Sequence, residues 1–164
     1  MLLPRDVEAD PQREAIHAAL AARTRKLWPG GSVDVPVLAL TAELTAARRA
    51  ALARGQLRRG LEAADAALAA ERQGLEAVAS RTGVEPGGRV SRLCLLSDDG
   101  AERFRRQVER CVVTHAPRLL ACMLDVDAAT LGTTLYGREA VAKLVLADHK
   151  DAVSAILRSL APAA

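Results

Sequence analysis

The chain has 164 residues, of which 50% are hydrophobic and 26% charged, and its formal net charge is +3. This is the composition of a globular protein long enough to bury a core. Aromatic residues make up only 2%, which excludes a surface on which several bases stack in succession, and the small net charge excludes a dense, non-specific polyanion binder.

The first residues and the cysteines bear on where the protein works. MLLPRDVEAD turns acidic after three apolar residues, so it lacks the charged start and apolar centre of a signal peptide. No apolar run approaches the ~20 residues that span a bilayer. Cys94, Cys111 and Cys122 each lie in an apolar run, which favours buried free thiols in a reducing compartment. We therefore expect a cytoplasmic protein with no membrane segment.

Helical patterns dominate residues 1–81. A helix is predicted at 11–27, and the extended stretch 32–40 contains Pro36, which makes it a linker or an edge strand. Helical spacing returns at 42, where glycines 55 and 60 make two helices, at about 42–54 and 57–81, as probable as one. We expect an N-terminal helical region, folded as a helical hairpin or coiled-coil-like arrangement.

The helix predicted at 57–81 carries an apolar seam. Its members follow one another at spacings of three and four, as in a coiled coil: Leu57, Leu61, Ala64, Leu68, Leu75 and Val78. Such a stripe has to be covered, by the first helix or by the same helix of a second subunit. One function open to this chain is therefore that of a homodimeric protein-interaction scaffold.

A glycine- and proline-rich segment at 82–89 predicts a linker, and residues 90–164 then change character. Apolar runs typical of strands alternate there with helical patterns, in the order β, α, β, short α, β, α. The polar face of the helix predicted at 101–115 includes Arg105. Strands alternating with helices indicate an α/β domain, which we expect to be a compact three-layer α/β sandwich around a small, mostly parallel sheet.

The segments LLSDDG and ATLGTTLYGREAVAKLVLADHKDAVSAIL give residues 90–160 a resemblance to a known family. With Leu131-Gly132 at a short helix and residues 141–146 at the next strand, they resemble the kink-turn-binding ribosomal-protein superfamily of small α/β sandwich domains. The resemblance implies a three-layer fold and an RNA ligand. That family contacts RNA largely through a glycine- and asparagine-containing turn leading into its first helix. This chain has no Asn, so no RNA-contacting residue is transferred to it.

Two groups of arginines supply candidate contacts to phosphates. The first lies in RRAALARGQLRRG and comprises Arg48, Arg49, Arg54, Arg58 and Arg59; the second comprises Arg103, Arg106 and Arg110. The alternative for the first group is a solvated helix face paired with Glu62 and Asp65. The leading prediction is a non-enzymatic binding module, with RNA or a ribonucleoprotein as the ligand.

Four carboxylates follow two predicted strands: Asp98, Asp99, Asp125 and Asp127. Since the carboxyl ends of parallel strands form a ligand crevice, they could hold Mg²⁺, which leaves a Mg²⁺-dependent phosphate-processing enzyme as a third function. The alternative is that they cap helices. The histidines and cysteines show no metal-ligand spacing, and His115 is expected to pack or cap a helix. We predict no catalytic residue and no cofactor.

Overall fold

The computed structural model describes residues 1–163, in which seven helices and six strands succeed one another. In chain order these are α1 (Arg5–Glu8), α2 (Arg13–Ala21), β1 (Thr24–Lys26), β2 (Asp34–Leu38), α3 (Ala42–Ala53), β3 (Leu57–Arg59), α4 (Leu61–Thr82), β4 (Arg92–Leu96), α5 (Glu102–His115), β5 (Leu119–Leu124), α6 (Ala128–Tyr136), β6 (Leu144–Ala147) and α7 (Lys150–Arg158). The predicted α/β class is confirmed.

All six strands form one sheet, in the order β1-β2-β5-β4-β6-β3. Only β2 and β4 run parallel to their neighbour β5, whereas β1, β3 and β6 pair antiparallel. The prediction of a mostly parallel sheet is therefore wrong. After α6 the chain folds back along that helix, and the Ala142 N–H donates to the Ala128 carbonyl at its start (3.0 Å). Strand β6 therefore begins at the end of the sheet where β5 ends, and it runs antiparallel to its neighbour β4.

Residues 1–81 contribute β1, β2 and β3 to this sheet, so the expected helical hairpin is not what they form. The predicted edge strand around Pro36 is β2, which lies inside the sheet with β1 at the edge. The helix predicted from residue 57 begins only at Leu61. Gly55 and Gly60 adopt positive φ (70° and 90°), a backbone conformation that favours glycine. Because of these two turns, helix α3 ends before β3 and helix α4 begins only after it. The segment from residue 83 to 88, inside the predicted linker, is irregular.

The core consists of one apolar cluster on each face of the sheet. Side chains alternate along a strand, and in β4 this sends Leu93 and Leu95 to the first cluster and Cys94 and Leu96 to the second. Helices α1, α2, α3, α6 and α7 contribute to the first cluster, and α4 and α5 contribute to the second.

The three cysteines are free and buried, as predicted. Within residues 1–163, no helix combines the length and the apolar character needed to cross a bilayer.

Candidate nucleic-acid interface

The predicted arginines fall into three places in the structure. Arg48 is fully buried beneath α6, where its Nη2 donates to the Thr134 hydroxyl (3.1 Å). The other arginines of the first group lie exposed around β3 and the end of α3, and those of the second group lie on α5, over the opposite face of the sheet. Because it is enclosed by the core, Arg48 does not belong to the surface for which it was predicted.

A glycine turn links β3 directly to α4. The Gly60 N–H donates to the Leu144 carbonyl (2.8 Å), and no side chain caps the first turn of α4. A Cβ placed at Gly60 would meet no atom within 4 Å, so the turn opens onto solvent. The free N–H groups and the dipole of this 22-residue helix make its N-terminus attractive to an anion.

Arg59 lies beside this turn and is fixed by two contacts. Its Nη2 donates to the Val141 carbonyl (2.7 Å), and its guanidinium lies 4.7 Å from the centre of the Tyr136 ring. Burial raises the pKa of the Tyr136 hydroxyl, while the charges of Arg59 and Arg48 oppose that rise. The guanidinium is thus held at the sheet edge, and Arg59 stays exposed to solvent.

The loop at 137–142, between α6 and β6, forms the adjoining wall. It packs against α6 at Gly132, where a Cβ would overlap the Ala140 carbonyl, so only glycine permits this approach. The loop exposes Arg138 and leaves Val141 53% exposed. A charged and an apolar side chain are therefore presented together, next to Arg59.

Arg49, in the second half of α3, completes the cationic group. Its Nε donates to the Thr134 carbonyl in the last turn of α6 (2.9 Å), where the negative end of the helix dipole favours a cation. We define the basic surface as Arg49, Arg59, Arg138, Gly60 and Val141. It joins α3, β3, the start of α4 and the loop at 137–142.

Arg58 and Arg54 lie outside the basic surface. Side chains alternate along β3, so Arg58 points to the opposite face from Arg59, and its Nε donates to Asp148 (2.7 Å). This hydrogen bond and the charge of Asp148 raise the pKa of the Arg58 guanidinium. Arg54 is exposed in the turn between α3 and β3.

The arginines of α5 form a separate stripe on the second face. Arg106 pairs with Glu102 and lies 4.3 Å from the Trp28 ring centre, whereas Arg103 and Arg110 are exposed. The helices that carry Arg49 and this stripe pack on different faces of the sheet, α3 on the first and α5 on the second.

Three of the four predicted metal carboxylates hold backbone groups or a cation. Asp99 accepts from the Ala128 N–H (3.0 Å) and Asp127 from the Thr130 N–H (2.7 Å), so both satisfy the start of α6. Asp125 pairs with Arg23 (2.9 Å), and the Asp98 side chain makes no hydrogen bond among the described residues. Hydrogen bonds from Thr130 lower the pKa of Asp127. These contacts support helix capping rather than a magnesium site.

The predicted oligomerisation seam is largely used within the chain. Ala64 and Leu68 are buried in the second cluster, Leu61 packs against it, and Leu57 belongs to β3 and packs against the first cluster. Of the remaining members, Leu75 is half-buried and Val78 is 43% exposed. The seam therefore covers this chain's own sheet and leaves little apolar area for a second subunit.

No protein-family model matches the chain, and a search of curated proteins finds no significant match. Sequence reasoning missed Arg138, Tyr136 and Val141, which no arginine spacing connects to β3. The sequence signal for β3 was the pair Gly55 and Gly60 on either side of QLRR. This pattern fits a broken helix, but it fits a short strand between two turns as well.

Proposed function

We propose that the protein is a non-enzymatic RNA-binding module that contacts phosphates with its basic surface. The observation that carries this proposal is the Gly60 turn, because it joins an uncapped helix N-terminus to Arg59 and the loop at 137–142. Phosphate groups are bound by such N–H groups and by arginine forks. Arg49 and Arg138 enlarge the same surface.

The resemblance to the kink-turn-binding superfamily supports RNA as the anion. It transfers no RNA-contacting residue, because the chain has no Asn and the Gly60 turn lies outside the resembling residues 90–160. The contacts proposed here are therefore those of the backbone and the arginines of the basic surface. We therefore expect binding that depends strongly on salt and weakly on base sequence.

Fluorescence anisotropy with a labelled RNA stem interrupted by an internal loop tests this function. Three arginine–phosphate contacts predict that log K falls with log salt at a slope of about −2 to −3. Replacing Arg59 or Arg138 by Gln should reduce that slope by about 1 each. An uninterrupted duplex of the same length is the comparison RNA.

The matched control is Arg103→Gln together with Arg110→Gln, on the opposite face. Those two changes remove two positive charges, as many as Arg59→Gln and Arg138→Gln combined, but we expect them to leave the slope unchanged. If the α5 variants lose affinity while Arg59→Gln and Arg138→Gln do not, RNA lies on the α5 stripe and the proposed interface is wrong.

A further inference from the structure

An open groove of about 880 Å³ separates α4 from α5 on the second face of the sheet. Apolar side chains such as Leu61 and Phe104 line it beside polar ones such as Gln73 and Gln107. On its wall, Asp65 of α4 faces Cys111 and His115 of α5. The groove begins at Leu61, beside the Gly60 turn, but it shares no residue with the basic surface, so its ligand need not be the one that the basic surface binds.

The helix geometry explains why these three side chains meet. Cys111 and His115 are four residues apart, which places them on the same face of α5. Asp65 lies in the second turn of α4, which packs beside α5 over the second cluster. One ligand atom from each residue lies within 4.8 Å of the other two. Among residues 1–163 no other such group of three metal-binding side chains occurs.

His115 is the unsatisfied member of the group. Its side chain is 2% exposed, its Nδ1 is buried without a hydrogen-bond partner, and its Nε2 lies 3.6 Å from Asp65 Oδ1, beyond hydrogen-bond distance. Neither ring nitrogen is hydrogen-bonded, although buried polar groups are nearly always paired. Nε2 is the nitrogen that faces Asp65, so the geometry points to a ligand that Nε2 shares with the Cys111 thiol and the Asp65 carboxylate.

The chemistry of the donors selects the metal. Thiolate and imidazole are soft or borderline ligands that favour Zn²⁺, whereas Mg²⁺ and Ca²⁺ prefer oxygen alone. Zinc bonds of about 2.0–2.3 Å place neighbouring ligand atoms of a tetrahedron about 3.3–3.8 Å apart. The 3.6 Å between His115 Nε2 and Asp65 Oδ1 already fits that spacing, and the Cys111 sulfur lies within 4.8 Å of both ligand atoms.

We propose that Asp65, Cys111 and His115 bind one Zn²⁺ on the wall of the α4–α5 groove. Three protein ligands leave the fourth position of a tetrahedral ion open to the groove, as in zinc sites that hold a water molecule. Cys94 and Cys122 lie deeper, in the sheet, and take no part. The site does not depend on RNA binding.

The test is titration of the full-length protein with Zn²⁺ alone against a competing chromogenic chelator, followed by Co²⁺ spectroscopy. We expect one ion per chain and, with Co²⁺, a thiolate charge-transfer band in the near ultraviolet. Asp65→Asn should weaken Zn²⁺ binding at least about tenfold. Because the Asp65 side chain is 61% exposed, this variant leaves the core intact.

Two matched variants separate this site from adventitious binding. Glu62→Gln removes a neighbouring carboxylate of the same groove and should leave Zn²⁺ affinity unchanged. Cys111→Ser should abolish the charge-transfer band, whereas Cys122→Ala should retain it. The proposal is overturned if the wild-type protein binds no Zn²⁺, if Asp65→Asn and Glu62→Gln bind equally well, or if Cys111→Ser keeps the band.

Discussion

Replacing Arg105 by Met is expected to lower the free energy of unfolding by about 3–5 kcal/mol, one of the largest effects in this protein. The Arg105 side chain is buried and donates to the carbonyls of Gly100 (2.9 Å), Leu27 (3.3 Å) and Asp98. Methionine fills similar space but leaves all three carbonyls without this donor. Urea unfolding followed by circular dichroism measures the loss.

The structural consequence extends beyond α5, because Leu27 follows β1 whereas Gly100 and Asp98 follow β4. Arg105 therefore ties the edge of the sheet to the loop that precedes α5. Burial lowers the pKa of its guanidinium, the charge of Arg25 lowers it further, and Asp98 and Asp99 oppose that shift. Arg103→Met on the exposed face of α5 is the control, with a change within about 0.5 kcal/mol. Equal stabilities for the two variants would show that water replaces the guanidinium at no cost.

Replacing Arg48 by Met should have the opposite sign and raise the free energy of unfolding by about 1–3 kcal/mol. Arg48 is fully buried, yet its Nε and Nη1 have no hydrogen-bond partner. Burial lowers the pKa of this guanidinium to about 10, so it remains charged at neutral pH. Its one partner, the Thr134 hydroxyl, also donates to the Thr130 carbonyl (2.8 Å) and stays satisfied without Arg48.

Thermal and urea unfolding of Arg48→Met test this sign, with Arg54→Met, an exposed arginine, as the matched control expected to change stability by less than about 0.5 kcal/mol. The same variant should leave the salt slope of RNA binding unchanged, because the side chain is enclosed. A destabilised Arg48→Met protein would mean that the guanidinium has a counter-charge in solution, which would contradict its description as an unpaired cation.

The second half of the fold could be predicted because its signals are local. Each element is indicated by its own residues: apolar runs predict β4, β5 and β6, and helical spacing predicts α5 and α7. By contrast, β1 and β3 are three residues long and read TRK and LRR. Such short polar strands exist through pairing with β2 and β6, so tertiary contact overrides the local pattern.

The candidate sites show the same limit. Arg105 fits the polar face of α5 by spacing, but the loops after β1 and β4 enclose it. Cys111 and His115 lie at helical spacing on α5, but the third member of the proposed site, Asp65, belongs to α4, so the spacing within α5 does not reveal the site. Arg59 likewise reaches the loop that carries Arg138 because β3 pairs with β6. Sequence spacing reveals partners within one element, not partners brought together by the sheet.

Ultraviolet cross-linking of the full chain to the internal-loop RNA, followed by mass spectrometry of the cross-linked peptides, tests the central claim most directly. The basic surface predicts cross-links in residues 57–62 and 137–142, which are distant in sequence and adjacent in the fold. Cross-links confined to residues 103–110 of α5, or no cross-links under conditions where the RNA is bound, would contradict it.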